Sequence, residues 1–265
     1  MLCWGRDEEK QLGAEPQSPR RGPPGARPPL SQLVPRNDQP RLVEAVSQVV
    51  QIASGANHSC ARTAAGRVWC WGDNRRGQLG TGRASEPVRK PQRVAGLAGV
   101  ADLAAGGDQA CVALADRTVS CWGASPGTKE IPPHVLPSPT AIAGVRGIVR
   151  VAVGASRACA MTEDDQLSCW TGGPVAGGWH ELGQPPASVP GVERARAVVL
   201  GLTASCATRP SGAVVCWGRN PYGMVSSEPT SLLGEPTPYD GTTAAEPLPA
   251  RSTAPRDGGS TADGG

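Results

Sequence analysis

The sequence of 265 residues contains no phenylalanine and only two tyrosines. Seven tryptophans and many small aliphatic residues must therefore supply the core that larger aromatic side chains usually fill. Its longest apolar stretch, residues 197–207, is about half as long as a transmembrane helix, so we predict no membrane span. The formal net charge of +3 is too small to predict a nucleic-acid partner.

Signals for secretion, metal binding and catalysis are also missing. Residues 1–6 lack the apolar core of a signal peptide, and no Cys-x-x-Cys or Cys/His spacing of a zinc site is present. Residues 154–158 lack the final glycine of a nucleophile elbow. The carboxylates of residues 163–165 lack the spacing of a calcium loop, and the three histidines stand in unrelated contexts: His58, His134 and His180. We therefore predict no enzymatic activity and no cofactor.

A cysteine hairpin recurs four times in the chain. Each copy has two cysteines ten positions apart, followed by Trp and, in three copies, by Gly. Two residues that face each other at this separation enclose a three-residue loop, whose third position favours a left-handed backbone. Gly66, Arg117, Asp165 and Gly212 occupy that position, and Asp tolerates it better than Arg.

The opposed cysteines of each hairpin fit a disulfide, because directly opposed residues have Cα atoms about 4.5 Å apart. Each disulfide is expected to stabilise the fold by roughly 2.7 kcal/mol. Local pairing favours an oxidising compartment; the alternative is buried free thiols in a cytosolic protein. The predicted pairs are Cys60 with Cys70, Cys111 with Cys121, Cys159 with Cys169, and Cys206 with Cys216.

Each hairpin follows a short apolar strand and a glycine turn, and the whole unit returns with a period of roughly 50 residues. Such strands precede the hairpins at residues 100–104, 148–153 and 197–200. Short strands at this period are typical of a β-propeller blade of about four strands. The tryptophans after the second cysteines are predicted to pack between blades: Trp71, Trp122, Trp170 and Trp217.

The amino terminus aligns with the second half of a repeat, because residues 3–13 match residues 70–80 without a gap. We therefore expect residues 1–13 to end a truncated repeat, with further repeats upstream; the alternative is a free cytosolic thiol at Cys3. Residues 14–40 are rich in proline and arginine, which favours an inserted loop. Residues 41–225 contain the four repeats, and residues 226–265 have the composition of a disordered tail.

Residues 55–80 read Gly-x-x-His-Ser-Cys-Ala, then a hairpin, then Trp-Gly-x-Asn-x-x-Gly-Gln-Leu-Gly. This pattern resembles the regulator-of-chromosome-condensation repeat, in particular the cysteine-bearing version of bacterial extracellular proteins. The resemblance covers residues 3–13 and 41–225, although later copies lose the histidine and the Gln-Leu-Gly ending. It implies an all-β fold, a β-propeller with about four complete blades and a partial N-terminal one. Because the family usually has seven blades, an incomplete ring is expected.

The leading hypothesis for function is a non-enzymatic protein-binding module of a secreted, periplasmic or cell-surface protein. One alternative, implied by the resemblance, is guanine-nucleotide exchange on a small GTPase together with chromatin binding. Another is a structural spacer within a larger surface protein.

The candidate binding residues lie mainly in the cationic loop of residues 73–93, which is predicted either to meet an acidic protein partner or to be a solvated connection. Trp179 is a further candidate, with packing onto the adjacent blade as its alternative role. The cationic candidates are Arg75, Arg76, Arg83, Arg89, Lys90 and Arg93.

Overall fold

A computed structural model describes residues 1–15, 36–124, 135–171, 174–175, 178–179, 184–192, 194–202, 204–220 and 230–238. Every helix or strand in this part of the chain is a β-strand, which confirms the predicted all-β fold. The strands form four four-stranded antiparallel sheets in chain order, here called blades one to four. A two-stranded sheet of β1 (Leu2–Arg6) and β2 (Arg36–Leu42) precedes them and is called the partial blade.

The strands of each blade follow one another as a meander. Blade one contains β3 (Val49–Ser54), β4 (His58–Thr63), β5 (Val68–Asn74) and β6 (Ser85–Arg93). Blade two contains β7 (Val100–Gly106), β8 (Asp108–Leu114), β9 (Val119–Ala124) and β10 (Val135–Ala141). Blade three contains β11 (Ile148–Val153), β12 (Arg157–Thr162), β13 (Leu167–Thr171) and β16 (Gln184–Ser188), with the small hairpin of β14 (Pro174–Val175) and β15 (Gly178–Trp179) between its last two strands. Blade four contains β17 (Ala197–Leu200), β18 (Ala204–Thr208), β19 (Val214–Asn220) and β20 (Thr230–Pro238).

The second and third strands of every blade form the predicted cysteine hairpin. All four cysteine pairs are directly opposed in the strand register. Their sulfur atoms lie at disulfide distance, with Cα atoms 4.0 to 4.1 Å apart. The third loop position has a positive φ in every copy, as predicted: 68° at Gly66, 66° at Arg117, 59° at Asp165 and 85° at Gly212. The hairpin geometry therefore holds even where the residue is not glycine.

The hydrophobic core lies between successive blades. One cluster joins the hairpin of blade one to Leu103 and Trp122 of blade two. A second joins blade two to Ile148 and Trp170 of blade three, and a third joins blade three to Trp217 of blade four. Each of these tryptophans is at most 5% exposed. The predicted packing of the repeated Trp between blades is therefore confirmed.

Polar side chains on the first strands also connect neighbouring blades. Gln51 Nε2 donates to Asp102 Oδ1 at 2.6 Å, and the Val151 amide donates to Asp102 Oδ2 at 2.8 Å. One blade further on, the Arg150 guanidinium donates to the Arg196 carbonyl at 2.5 Å. Gln51, Asp102 and Arg150 follow the bulge of their respective strands. In blades one to three, the residue after the bulge therefore contacts the backbone or a side chain of the next blade.

Two predicted segment boundaries are wrong, because each predicted loop or tail contains an outer strand of a sheet. β2 begins at Arg36 within the predicted loop of residues 14–40, and β20 lies within the predicted tail of residues 226–265. Residues 16–35 of the first segment and residues 226–229 and 239–265 of the second lie outside the described residues.

The physical reason for these errors is a recurrent proline. In all five outer strands a proline directly precedes the residue paired with the second cysteine of its hairpin, or with Cys3. A proline donates no ladder hydrogen bond and is tolerated in an edge strand, although it argues against a strand in a local reading. These prolines are Pro40, Pro91, Pro139, Pro186 and Pro236.

Candidate functional site

The loops after β1 of the partial blade and after β5 of blade one have the same hydrogen bonds. Asp7 Oδ1 accepts the Leu12 amide at 3.0 Å, and Asn74 Oδ1 accepts the Leu79 amide at 3.0 Å. The side-chain oxygen of the loop glutamine accepts a backbone amide at 2.9 Å in both copies. Residues 7–13 and 74–80 are therefore the same structural unit, as their aligned sequences predict.

Each of these loops holds the tryptophan of the following blade. Trp71 Nε1 donates to the Gln11 carbonyl at 2.8 Å, and Trp122 Nε1 donates to the Gln78 carbonyl at 2.9 Å. The glycine that ends the Gln-Leu-Gly motif lies against the same indole ring. A Cβ atom on Gly13 would stand 2.7 Å from Trp71 Nε1. The Gln-Leu-Gly motif thus forms part of the packing contact between neighbouring blades.

Two arginines of the cationic loop form ion pairs with carboxylates of their own and of neighbouring blades. Arg75 forms ion pairs with Glu9 at 2.9 Å and with Asp73 at 3.4 Å, and the hydrogen bond to Glu9 raises its pKa. Arg76 lies 3.3 Å from Asp108 of blade two. These two candidate residues therefore join blades, and their charges are balanced within the chain.

Arg89 is the most deeply placed of the six cations. Its guanidinium binds the carboxylate of Asp7 and the carbonyl of Ala14, both in the partial blade. The Asp7 side chain is fully buried, whereas 20% of the Arg89 side chain is exposed. A buried carboxylate needs such a partner, because an unpaired charge there is costly. Arg89 is thus a structural cation.

Three candidate cations are exposed and have no ion pair among the described residues. Arg83 lies in the loop before β6, while Lys90 and Arg93 lie on β6 itself, the outer strand of blade one. They form the candidate site, which we call the blade-one rim. Trp179 lies in β15, and its side chain is outside the described part of the structure.

In the sequence all six cations stand within one loop and one strand, residues 73–93. The structure separates them because their acidic partners come from distant positions, such as Asp7 for Arg89 and Asp108 for Arg76. The alignment of residues 3–13 with 70–80 was the available signal, since it places the acidic residues 7–9 beside the next repeat.

His58 is buried, and its pKa lies far below its ordinary value. It is 1% exposed at the start of β4, packed against the backbone of Gly55. Burial lowers its pKa to about 4, partly opposed by the nearby Asp73 carboxylate and a backbone group of Gln109. A neutral imidazole at neutral pH is thus part of the packing between blades.

Three further features of the described ranges concern metal binding, membrane insertion and small-molecule binding. Within them, no group of three or more His, Cys, Asp or Glu side chains is arranged to hold a metal ion. In the same ranges, no helix is long and apolar enough to cross a membrane. A cavity of ≈ 140 Å³ lies between blades three and four, lined by residues that include Met161, Leu167 and Val198. It is smaller than small-molecule sites, which occupy about 300 to 1,000 Å³.

The repeated four-stranded sheets define a partial β-propeller, and solved structures share this fold. The yeast RCC1 protein Prp20, solved in complex with Kap60, aligns with 89% of this chain and 57% of its own at a TM-score of 0.69 and 20% identity. Human WBSCR16 aligns with 89% of this chain and 61% of its own at a TM-score of 0.67 and 20% identity.

The sequence comparisons name the repeat. Residues 1–62 and 65–114 match the Regulator of chromosome condensation (RCC1) repeat, and residues 49–78 match a second model with the same description. The chain is thus similar to the RCC1 repeat family, and the predicted resemblance of residues 55–80 to this repeat is confirmed.

Curated relatives share the repeats over short segments. Probable E3 ubiquitin-protein ligase HERC4 of Rattus norvegicus is 38% identical over 88 residues, which are 32% of this chain and 8% of that protein. E3 ubiquitin-protein ligase HERC2 of Homo sapiens is 36% identical over 129 residues, 46% of this chain and 2% of that protein. Protein RCC2 of Mus musculus is 34% identical over 96 residues, 36% of this chain and 15% of that protein. The chain thus spans a small part of each of these relatives.

Proposed function

We propose that the chain is a non-enzymatic protein-binding module, whose blade-one rim contacts an acidic surface of a protein partner. The observation that carries the proposal is the separation of the cations in residues 73–93. Arg75, Arg76 and Arg89 are bound by carboxylates of the chain, whereas the blade-one rim is exposed and unpaired among the described residues. Unpaired cations on a strand and in the loop beside it attract an acidic surface through their charge.

The scaffold supports this proposal through its rigidity. Disulfide-linked hairpins and buried tryptophans fix the blades, while the segments between third and fourth strands vary in length and composition. Rigid scaffolds with variable loops are a common basis for recognition. The solved structure of Prp20 is described with binding properties to Gsp1p and histones, which shows that a protein of this fold binds proteins. We therefore place recognition on the loops and outer strands.

The test compares three forms of the chain as immobilised bait for proteins from its native compartment. The rim variant combines Arg83→Glu, Lys90→Glu and Arg93→Glu. The control variant combines Arg67→Glu, Arg146→Glu and Arg194→Glu, which change the net charge equally at exposed residues without an ion pair among those described. Bound proteins are quantified by mass spectrometry at low and high salt.

The proposal expects a protein that the native chain and the control variant retain, and that the rim variant and high salt release. Equal retention by all three forms would exclude the blade-one rim as the site. Retention of no protein by the native chain would contradict the binding function itself.

We further propose an extracellular, periplasmic or cell-surface location, which four local disulfides favour. A structural spacer in a larger surface protein is compatible with the same location. It differs from the binding module in one result, since a spacer retains no partner in the capture experiment.

Guanine-nucleotide exchange, which the resemblance to the regulator-of-chromosome-condensation repeat implies, is the rival activity. It requires a cytosolic or nuclear protein with reduced thiols, which the paired cysteines disfavour. Release of a fluorescent nucleotide from a panel of small GTPases, with and without the chain, tests it. Release accelerated by the chain would replace the binding proposal with exchange.

A further inference from the structure

The cavity between blades three and four lies beside their inner strands, β11 and β17, and its lining residues lie between positions 102 and 198. Its volume of ≈ 140 Å³ is too small for a drug-sized molecule. It is nevertheless close to the volume of an engineered apolar cavity, about 150 Å³, that binds benzene. A ligand with roughly the hydrocarbon content of benzene therefore fits this space.

One wall of the cavity is apolar and consists of Met161, Leu167 and Val198, here called the apolar wall. Met161 and Leu167 face each other across the hairpin of blade three, and each is 4% exposed. Val198 of blade four packs against the same hydrophobic cluster. The cavity also touches Cys159, whose disulfide closes this hairpin. The apolar wall therefore belongs to the rigid part of the blade.

The corresponding space between blades one and two is filled by longer side chains. Leu103 pairs with the residue after the first cysteine of its hairpin, as Val198 does, and Leu103 is 3% exposed. Arg62, at the register position of Met161, extends to the Val100 carbonyl at 3.3 Å. A valine and a methionine replace this leucine and arginine between blades three and four, and neither can bridge the gap in the same way. The cavity thus follows from two residue changes within the repeat.

Two arginines line the edge of the cavity. Arg150 and Arg196 are both exposed, and neither has an ion pair among the described residues. The Arg150 guanidinium donates to the Arg196 carbonyl at 2.5 Å, which holds it beside the cavity. Asp102 also lines this edge, but its two oxygens accept hydrogen bonds from Gln51 and from the Val151 amide. Two cations beside one carboxylate leave an excess of positive charge, which favours an anionic group here.

We propose that this cavity binds a short aliphatic carboxylate, with its hydrocarbon part against the apolar wall and its carboxylate at Arg150 and Arg196. Burial of the hydrocarbon part supplies affinity. Guanidinium groups match the geometry of a carboxylate, so they supply selectivity for an acid over a neutral molecule of the same shape. The site lies away from the blade-one rim, and the proposal does not rest on the proposed protein-binding function.

The test measures dissociation constants of three small probes for the native chain by ligand-detected NMR. Isovalerate has a branched hydrocarbon part and a carboxylate. Isoamyl alcohol has the same hydrocarbon part without the charge, and acetate has the charge with a single methyl group. We expect isovalerate to bind at least about tenfold more tightly than either of the other two, because it alone uses both the apolar wall and the arginines.

A pair of matched variants tests whether the probe occupies the cavity. Val198→Leu introduces the leucine that blade two has at this register position, so it should fill the space and weaken isovalerate binding at least about tenfold. Val199→Leu adds the same methylene group at the next position, which is 68% exposed and does not line the cavity. It should leave the dissociation constant unchanged. Urea unfolding checks that both variants are folded.

A second pair tests the charge at the edge of the cavity. Arg196→Gln removes one cation and keeps the backbone carbonyl that holds Arg150, so isovalerate should bind about tenfold more weakly while isoamyl alcohol is unaffected. Arg194→Gln removes the same charge at an exposed residue that does not line the cavity, and should have no effect. Because Arg196 is exposed, this pair remains informative if Val198→Leu fails to fold.

Failure of the native chain to bind isovalerate would overturn the proposal. Equal dissociation constants for isovalerate and isoamyl alcohol would also overturn it, because the arginines would then not recognise the carboxylate. A folded Val198→Leu variant that binds isovalerate as the native chain does would place the acid outside the cavity. None of these measurements involves the blade-one rim, so the two proposals fail separately.

Discussion

The indole ring of Trp71 lies against the backbone of Gly13, so close that a Cβ atom on Gly13 would stand 2.7 Å from the indole nitrogen. The two residues belong to different blades, and the same indole donates its hydrogen bond to Gln11. The Gln-Leu-Gly motif is therefore the part of one repeat that receives the tryptophan of the next. Its glycine is required for contact as well as for its left-handed backbone, with φ of 68°.

Gly13→Ala should destabilise the chain more than Gly96→Ala. Both glycines have a positive φ, of 68° and 75°, so both substitutions carry a backbone cost of roughly 1 to 2 kcal/mol. Only Gly13 contacts an indole, whereas a Cβ atom on Gly96 meets no atom within 4 Å. The additional cost at Gly13 is expected to be about 1 to 3 kcal/mol. Urea unfolding measures both, and equal losses would contradict the contact.

His58 should make the stability of the chain fall as the pH drops below neutral. Its pKa of about 4 in the folded state lies below the 6.5 of the unfolded chain, so the unfolded state binds the proton first. The stabilisation is complete above pH 6.5 and is lost progressively down to pH 4, by roughly 3 kcal/mol. His58→Gln, which introduces the residue that blade two has at this position, Gln109, should remove this part of the pH dependence. Urea unfolding at pH 7, 5 and 4 tests it, and identical pH profiles would contradict the assignment.

The ion pair between the buried Asp7 and Arg89 should contribute to the free energy of unfolding of the chain. Asp7→Asn keeps the oxygen that accepts the Leu12 amide and removes the charge that Arg89 binds. We expect a loss of roughly 2 kcal/mol, because the Arg89 cation loses its partner. Asp7→Asn should cost less in an Arg89→Met background, where the ion pair is already absent. A double-mutant cycle in urea measures the difference, and additive losses would exclude coupling.

Each disulfide should contribute measurably to stability. Replacement of both Cys111 and Cys121 by alanine is expected to lower the free energy of unfolding by about 2 to 3 kcal/mol. The hairpin is central, and its sulfur atoms lie at disulfide distance. Addition of reductant should destabilise the native chain further, since it acts on all four pairs. Unfolding that does not respond to reductant would contradict a structural role for the pairs.

The repeat and its hairpins could be predicted from the sequence because they depend on the spacing of residues that are close together in the chain. Ten positions between two cysteines determine the loop, and the positive φ at Arg117 and Asp165 follows from the loop type and not from the residue. The period then places the tryptophans between blades. Regular local spacing thus specifies most of the blade.

Outer strands and ion pairs could not be predicted in the same way. Pro40 and Pro236 argue against a strand when only the neighbouring residues are considered. Their strands are identified only by their pairing with β1 and β19 in the folded chain. Likewise, Arg89 and Asp7 are far apart in sequence and meet only after the partial blade packs on blade one. The ion pairs of Arg75, Arg76 and Arg89 are therefore seen only in the folded chain, and our proposal places binding on the three remaining cations of the blade-one rim.

The central claim is a propeller segment whose hairpins are closed by disulfides in an oxidising compartment, and peptide mapping under non-reducing conditions tests it most directly. The protein is taken from its native compartment, and free thiols are blocked before digestion. We predict four linked peptide pairs, each joining the two cysteines of one hairpin, as in Cys60 with Cys70. Four pairs of blocked free thiols would contradict the claim and favour the cytosolic exchange reading.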